Sequence, residues 1–178
     1  MTNEWKVYEH RVQYYETDQM GIVHHSNYIR WFEEARTDML RQAGYGYGKL
    51  ESLGIISPVL QVSADYQSMT HFEDLVVIRV KLLQFNGIIL RLSYQVEDSV
   101  TKEVRCTGES KHCFLDTEGR PVSLKKKNRE MYDIFLQMME EQERSSSDSL
   151  NVIESGKEDL AGLLARSSFP LSYCTKCE

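Results

Sequence analysis

Asp18, His24 and His25 are the residues of this 178-residue chain whose types and spacing most readily do chemistry. They fall in YYETDQMGIVHHSNY, residues 14–28, a polar connection just ahead of a helix-like run. The start of a helix offers unpaired N–H groups and partial positive charge. Such amides can hold a carbonyl oxygen as it becomes an oxyanion, and a carboxylate facing them across that carbonyl completes a simple acyl-transfer site. Asp18 could act there as a general base toward water, or attack directly and form an anhydride. Nearby positive potential favours the ionised form that either role needs. His25, next to the helix, could donate to a carbonyl or orient the carboxylate. Plainer readings stay open: an Asx turn at Asp18, and a loop histidine satisfied by backbone. Two histidines and an aspartate could also hold a metal. Adjacent histidines converge on one ion only if the loop folds back, however, and no third strong ligand is evident; His71 is remote in sequence.

The elements that would position this stretch read from periodicity. Residues 5–15, WKVYEHRVQYY, favour a strand through Val7, Val12 and the tyrosines. After the loop 16–26, Tyr28, Phe32, Ala35, Met39 and Ala43 recur at three- and four-residue steps, with Trp31 and Leu40 widening the stripe. This predicts a helix over about 27–43, capped by Ser26 or Asn27 and stopped at Gly44. It is apolar over much of its circumference and belongs in a deep groove. Residues 45–54 form a Gly-spaced connection with room for a short helical turn. From Ile55 the period becomes alternating, with strands expected near 58–68, 74–85, 88–98 and 102–116, and Asn86-Gly87 as a hairpin turn. Residues 125–144 read as one further helix with Met131, Ile134, Phe135, Met138 and Met139 as its apolar stripe. Its basic start and acidic end oppose the helix dipole. The order of elements is α+β: five antiparallel strands around one long helix, plus a C-terminal helix. Exposed sheet edges would be relieved by pairing two copies.

Bulk properties narrow the function. The chain is 41% hydrophobic with a net charge of −6, which argues against broad nucleic-acid binding. The N-terminus is polar and charged, unlike a signal peptide, and no apolar run approaches the ~18 residues of a membrane span, so a cytoplasmic protein is expected. Cys106 and Cys113 would face opposite sides of one strand and should not pair; Cys174 and Cys177 form a CxxC that is half a zinc site at best. The chemistry has no Gly-rich phosphate loop, no GxSxG elbow and no recognisable Cys or Ser nucleophile. A lone carboxylate can still hydrolyse a thioester, whose carbonyl is poorly stabilised by sulfur and whose thiolate leaves readily.

RVQYYETDQMGIVHHSNYIRWFEEAR, residues 11–36, resembles the signature of the 4-hydroxybenzoyl-CoA thioesterase family of hotdog-fold acyl-CoA thioesterases, in its YbgC-type branch. The elements are an aromatic pair, Thr17-Asp18, Gly21, His25, Asn27-Tyr28 and Glu34-Ala35-Arg36. SADYQSMTHFEDLVVIRV and GRPVSL follow in the family's order, so the resemblance covers about residues 6–125. It implies a hotdog fold, sites at dimer interfaces, and dimers that often pair into tetramers. It implies Asp18 as the catalytic carboxylate, His25 as an active-site residue, helix-start amides that polarise the thioester carbonyl, and Tyr28 on the acyl pocket. No metal or organic cofactor is expected. The branch commonly has Tyr in place of His24 and often Asp in place of Glu16.

The expectation is therefore an acyl-CoA thioesterase domain over 1–144, acting as a homodimer or homotetramer, with a poorly ordered or weakly docked extension over 145–178. Two alternatives remain: hydrolysis of acyl groups on acyl carrier protein, and a non-catalytic acyl-CoA-binding or envelope-associated interaction protein.

Overall fold

The computed structural model describes residues 5–144. Five strands, β1 (Tyr8–Arg11), β2 (Val59–Tyr66), β3 (Leu75–Phe85), β4 (Ile89–Asp98) and β5 (Val104–Cys113), form one sheet in the order β1-β3-β4-β5-β2. Every neighbouring pair is antiparallel. The long helix α1 (Ser26–Gln42) packs on this sheet, giving the hotdog arrangement. Alternation explains the packing. In the central strand β4, Leu90, Leu92, Tyr94 and Val96 are buried, while Arg91, Ser93 and Gln95 take the other face. On α1 the three- and four-step stripe buries Tyr28, Trp31, Phe32, Ala35, Met39 and Leu40. Phe32 stacks on Tyr94 with ring centroids 4.5 Å apart, tying helix to sheet. Removing such a buried ring costs about 3–5 kcal/mol.

Three local departures have physical reasons. The first strand covers only Tyr8–Arg11, and Tyr14–Glu16 turns into a short 3-10 helix. Glu16 curls back so that its carboxylate accepts the Gln13 N–H at 2.7 Å, which ends the extended run. The expected cap on α1 is absent: the helix starts at Ser26 with no side-chain cap. Ser26 Oγ is hydrogen-bonded to His24 Nδ1, and Asn27 donates its amide to the Glu16 carbonyl. The helix expected over 125–144 is broken in two. α3 (Leu124–Lys127) ends at Asn128, whose backbone is extended. Asn128 then caps α4, residues 129–144, by accepting the Met131 N–H at 3.0 Å. Lys125, Lys126 and Lys127 thus sit at the C-terminal turn of α3, where the dipole favours them. A second helix, α2 (Tyr47–Ser52), occupies the Gly-spaced connection.

Met131, Phe135 and Met138 of α4 join the core. The compact unit ends at Met139; of the unit that follows, the described part, 140–144, is helical. The extension 145–178, with Cys174 and Cys177, lies outside the described residues. Cys106 and Cys113 are buried free thiols. Among the described residues no helix is long and apolar enough to cross a membrane.

Candidate active site

The loop 17–25 runs from the 3-10 turn to the start of α1. Its ends are bridged at Thr17–Val23, and Ile22 bridges His71. Val23 donates its N–H to the Thr70 carbonyl at 2.8 Å, which fastens the loop to a segment almost fifty positions away. At the tip, Asp18 Oδ1 accepts the Met20 N–H at 2.8 Å. The Asx-turn reading therefore holds, and it occupies one carboxylate oxygen. Asp18 is half-buried and lines a cavity of about 260 Å³ together with His25, Tyr28, Tyr66 and Thr70. The three residues picked from sequence, Asp18, His25 and Tyr28, thus meet on one concavity at the start of α1. A helix start carries partial positive charge, and here two of its first amides are engaged by His24, Ser26 N–H by Nδ1 at 3.4 Å and Asn27 N–H by the carbonyl at 2.9 Å.

The two histidines separate. Their rings lie 4.1 Å apart, and His24 is occupied by Ser26 while His25 faces the cavity. Both are exposed. No hydrogen bond joins Asp18 to His25 among the described residues. Tyr28 is 4% exposed and donates its hydroxyl to Thr70 Oγ1 at 2.9 Å. Burial pushes its pKa up, so it is a neutral hydroxyl with its proton committed.

Sequence reasoning missed the opposite wall. Tyr66, at the end of β2, donates its hydroxyl to the His25 carbonyl at 3.1 Å and packs edge-on against Tyr28 at 5.4 Å. Gln67, Ser68, Met69 and Thr70 continue that wall. Nothing local marks these residues, because the contact depends on the long-range bond from Val23 to Thr70. Arg91 faces the other side of the sheet, in an ion pair with Glu109 at 2.7 Å. Neither it nor Lys81 nor Lys111 lines this cavity. The cation that reaches its wall is Arg105, which approaches Ser68 Oγ at 3.3 Å while paired with Asp98 and Glu103. His71 sits beside Asp74, 3.8 Å away, and not with His24 and His25. Among the described residues no three His, Cys, Asp or Glu side chains are grouped to hold a metal ion.

Comparison with known proteins gives a consistent set of likenesses. The family model described as "Thioesterase-like superfamily" matches residues 12–145. A Bacillus subtilis (strain 168) protein named "Putative acyl-CoA thioesterase YneP" is 32% identical over 119 residues, covering 66% of this chain and 86% of its own. The crystal structure of a hypothetical protein from Aquifex aeolicus is 34% identical, with a TM-score of 0.65 over 71% of this chain and 98% of that one. The DHNA-CoA thioesterase of Staphylococcus aureus shares the fold, with a TM-score of 0.73 over 78% of this chain and 93% of that one, at 24% identity.

Proposed function

The chain belongs to the thioesterase-like superfamily and is a thioester hydrolase, and from that premise we propose that it cleaves an acyl-CoA to the free acid and CoA, with Asp18 as the reacting carboxylate. The observation that carries this reading is the meeting of Asp18, His25 and Tyr28 on one cavity at the start of α1. In this reading the thioester oxygen points at the amides near 25–28. Charge that develops on that oxygen meets N–H dipoles at a helix start. Asp18 has one oxygen clear of its turn. As a base it takes the proton of a water that adds to the carbonyl carbon. As a nucleophile it adds itself, the thiolate leaves, and water cleaves the mixed anhydride. Either route breaks the C–S bond, consumes one water and releases CoA.

His25, without a hydrogen bond to Asp18, contacts the substrate rather than orienting the carboxylate. Tyr28, its hydroxyl engaged by Thr70, offers the acyl group the face of its ring. The reaction needs no metal or organic cofactor. We take residues up to 144 as the catalytic domain and the cytoplasm as its compartment. We take the working assembly as a homodimer, or two such dimers, joined along β2. This edge strand exposes Val59 by 50% and Leu60 by 52%, apolar side chains on an unpaired sheet edge.

The test is thiol release from a panel of straight-chain and aromatic acyl-CoAs by wild type and Asp18→Asn. A base or nucleophile of this kind contributes about 100- to 10,000-fold, so kcat should fall by at least about 100-fold. A folded Asn variant that matches wild type removes Asp18 from the mechanism. A wild type inert toward the whole panel removes the activity itself. Turnover of acyl carrier protein thioesters far above the CoA esters reassigns the carrier.

A further inference from the structure

Two residues before Asp18, Glu16 is 5% exposed and surrounded by donors. Oε2 accepts the Gln13 N–H at 2.7 Å and is bonded to His10 Nε2 at 2.9 Å. Oε1 accepts the Trp31 indole N–H at 2.8 Å. Burial alone would push this carboxyl up; the Gln13 amide, His10 and Trp31 outweigh it and hold its pKa below the ordinary value, so the group is ionised. One carboxylate thereby joins β1, through His10, to the 3-10 turn and to the middle of α1. His10 is itself backed by Glu34, 3.7 Å from its other ring nitrogen, and Glu34 accepts the Tyr8 hydroxyl at 2.9 Å.

The backbone of the same residue serves the other end of the loop. The Glu16 carbonyl accepts the Asn27 side-chain amide at 2.7 Å and the His24 N–H at 2.9 Å. Loop 17–25 is therefore referenced to Glu16 where it begins and where it ends. Trp31 carries the anchor to the cavity wall, with its ring 4.8 Å from that of Tyr28. We propose that Glu16 is the positioning residue of the site: it fixes the loop so that Asp18 faces the N-terminal amides of α1. This rests on the role of Asp18 given above. Misplacement by about 1 Å at such a site costs on the order of 100-fold in rate.

Glu16→Gln is the diagnostic change. It keeps the shape but replaces two acceptor oxygens with one oxygen and one NH₂. Turned one way, the NH₂ meets the Trp31 indole N–H; turned the other, it meets the Gln13 N–H. We expect kcat to fall tenfold or more with KM within threefold, at a temperature where the variant is fully folded. We expect amide exchange over 17–25 to quicken at least tenfold while β3, β4 and β5 keep wild-type protection. Adding Trp31→Phe to Glu16→Gln removes the mismatched donor and should recover at least threefold of the lost kcat and loop protection. Asn27→Ala, which cuts only the side-chain bond to the Glu16 carbonyl and leaves the His24 N–H on it, provides a second route should the Gln variant not fold; it should show the same loop-confined exchange at smaller size. A folded Gln variant with kcat within twofold of wild type and unchanged loop exchange overturns the proposal. So does a rise in exchange spread evenly over the sheet, which would mark Glu16 as a general stabiliser. The exchange measurement decides Glu16 whatever the substrate is, whereas the activity reading fails separately, on an inert wild type.

Discussion

The loop 17–25 and the hairpin turn at Asn86-Gly87 are built from the same parts and put them to different use. Each has a short polar side chain whose oxygen accepts backbone N–H groups, and each has a glycine at positive φ, +77° at Gly21 and +87° at Gly87. In the hairpin the turn closes on itself. Asn86 Oδ1 accepts both Ile88 and Ile89 N–H, and the Asn86 N–H returns to the Ile89 carbonyl. In the loop the backbone also closes locally, Asp18 N–H to the Ile22 carbonyl and Gly21 N–H to the Asp18 carbonyl, but the Asp18 side chain accepts only one N–H, and Glu16, Asn27 and Thr70 hold the loop from outside. The hairpin also has distant partners, since its Gly87 carbonyl accepts the Leu124 N–H at 2.7 Å, but its side-chain oxygen is fully engaged within the turn. A turn that serves chemistry must leave one side-chain oxygen open, and its distant partners make up for that missing bond.

This contrast predicts a crossover between activity and stability. Asp18→Asn should lower kcat by about 100- to 10,000-fold, yet leave the urea midpoint nearly unchanged, because the Asn oxygen can still accept the Met20 N–H. Gly87→Ala should do the reverse. A methyl there sits 3.0 Å from the Tyr132 ring and on a left-handed backbone. Crowding and backbone strain together should cost about 2–3 kcal/mol, with kcat per folded molecule unaltered. Denaturation and turnover measured on both variants decide the point: a large stability loss in the first, or a kcat loss in the folded second, would erase the distinction.

Acid should separate the two turns more gently. Glu16 has its folded pKa below the ordinary value of 4.5, so its contribution is present above that value and is lost as pH falls through the folded pKa. Below about pH 4.5 the indole N–H signal of Trp31 should move as its acceptor is protonated, and loop 17–25 should loosen. The hairpin has no titrating group in its turn and should not respond. Glu16→Gln should leave the Trp31 signal flat across the same range; a signal that still moves would place the titrating group elsewhere.

The same contrast explains what could be read in advance. The hairpin was legible because Asn-Gly between alternating runs is sufficient for its own turn. Helix α1 was legible because Tyr28, Trp31, Phe32, Ala35 and Met39 carry its period. Asp18, His25 and Tyr28 could be picked from one short stretch, where acid, imidazole and helix start lie together. Asn128 was not legible as a break, since an Asn among lysines reads equally as helix surface until its cap to Met131 is seen. Tyr66 and Thr70 were not legible at all, because their tie to the loop spans more than forty residues. Glu16 and Asp18 stand two residues apart in one polar stretch; only the Gln13 N–H, His10 and Trp31 decide which of them is buried and engaged.

The smallest effect is also the sharpest on the comparison. Gly21→Ala and Gly87→Ala impose the same left-handed backbone on alanine, which costs about 1–2 kcal/mol. They differ in surroundings. Nothing lies within 4 Å of a methyl at Gly21, whereas Tyr132 blocks one at Gly87. Gly21→Ala should therefore show the backbone cost alone, about 1 kcal/mol by urea denaturation, and the difference between the two variants should equal the crowding at Gly87. Its effect on kcat should stay below tenfold, because alanine can hold the Asp18 turn once the backbone cost is met. Equal losses at the two positions would mean that the loop packs as tightly as the hairpin and has no open face for a substrate to enter.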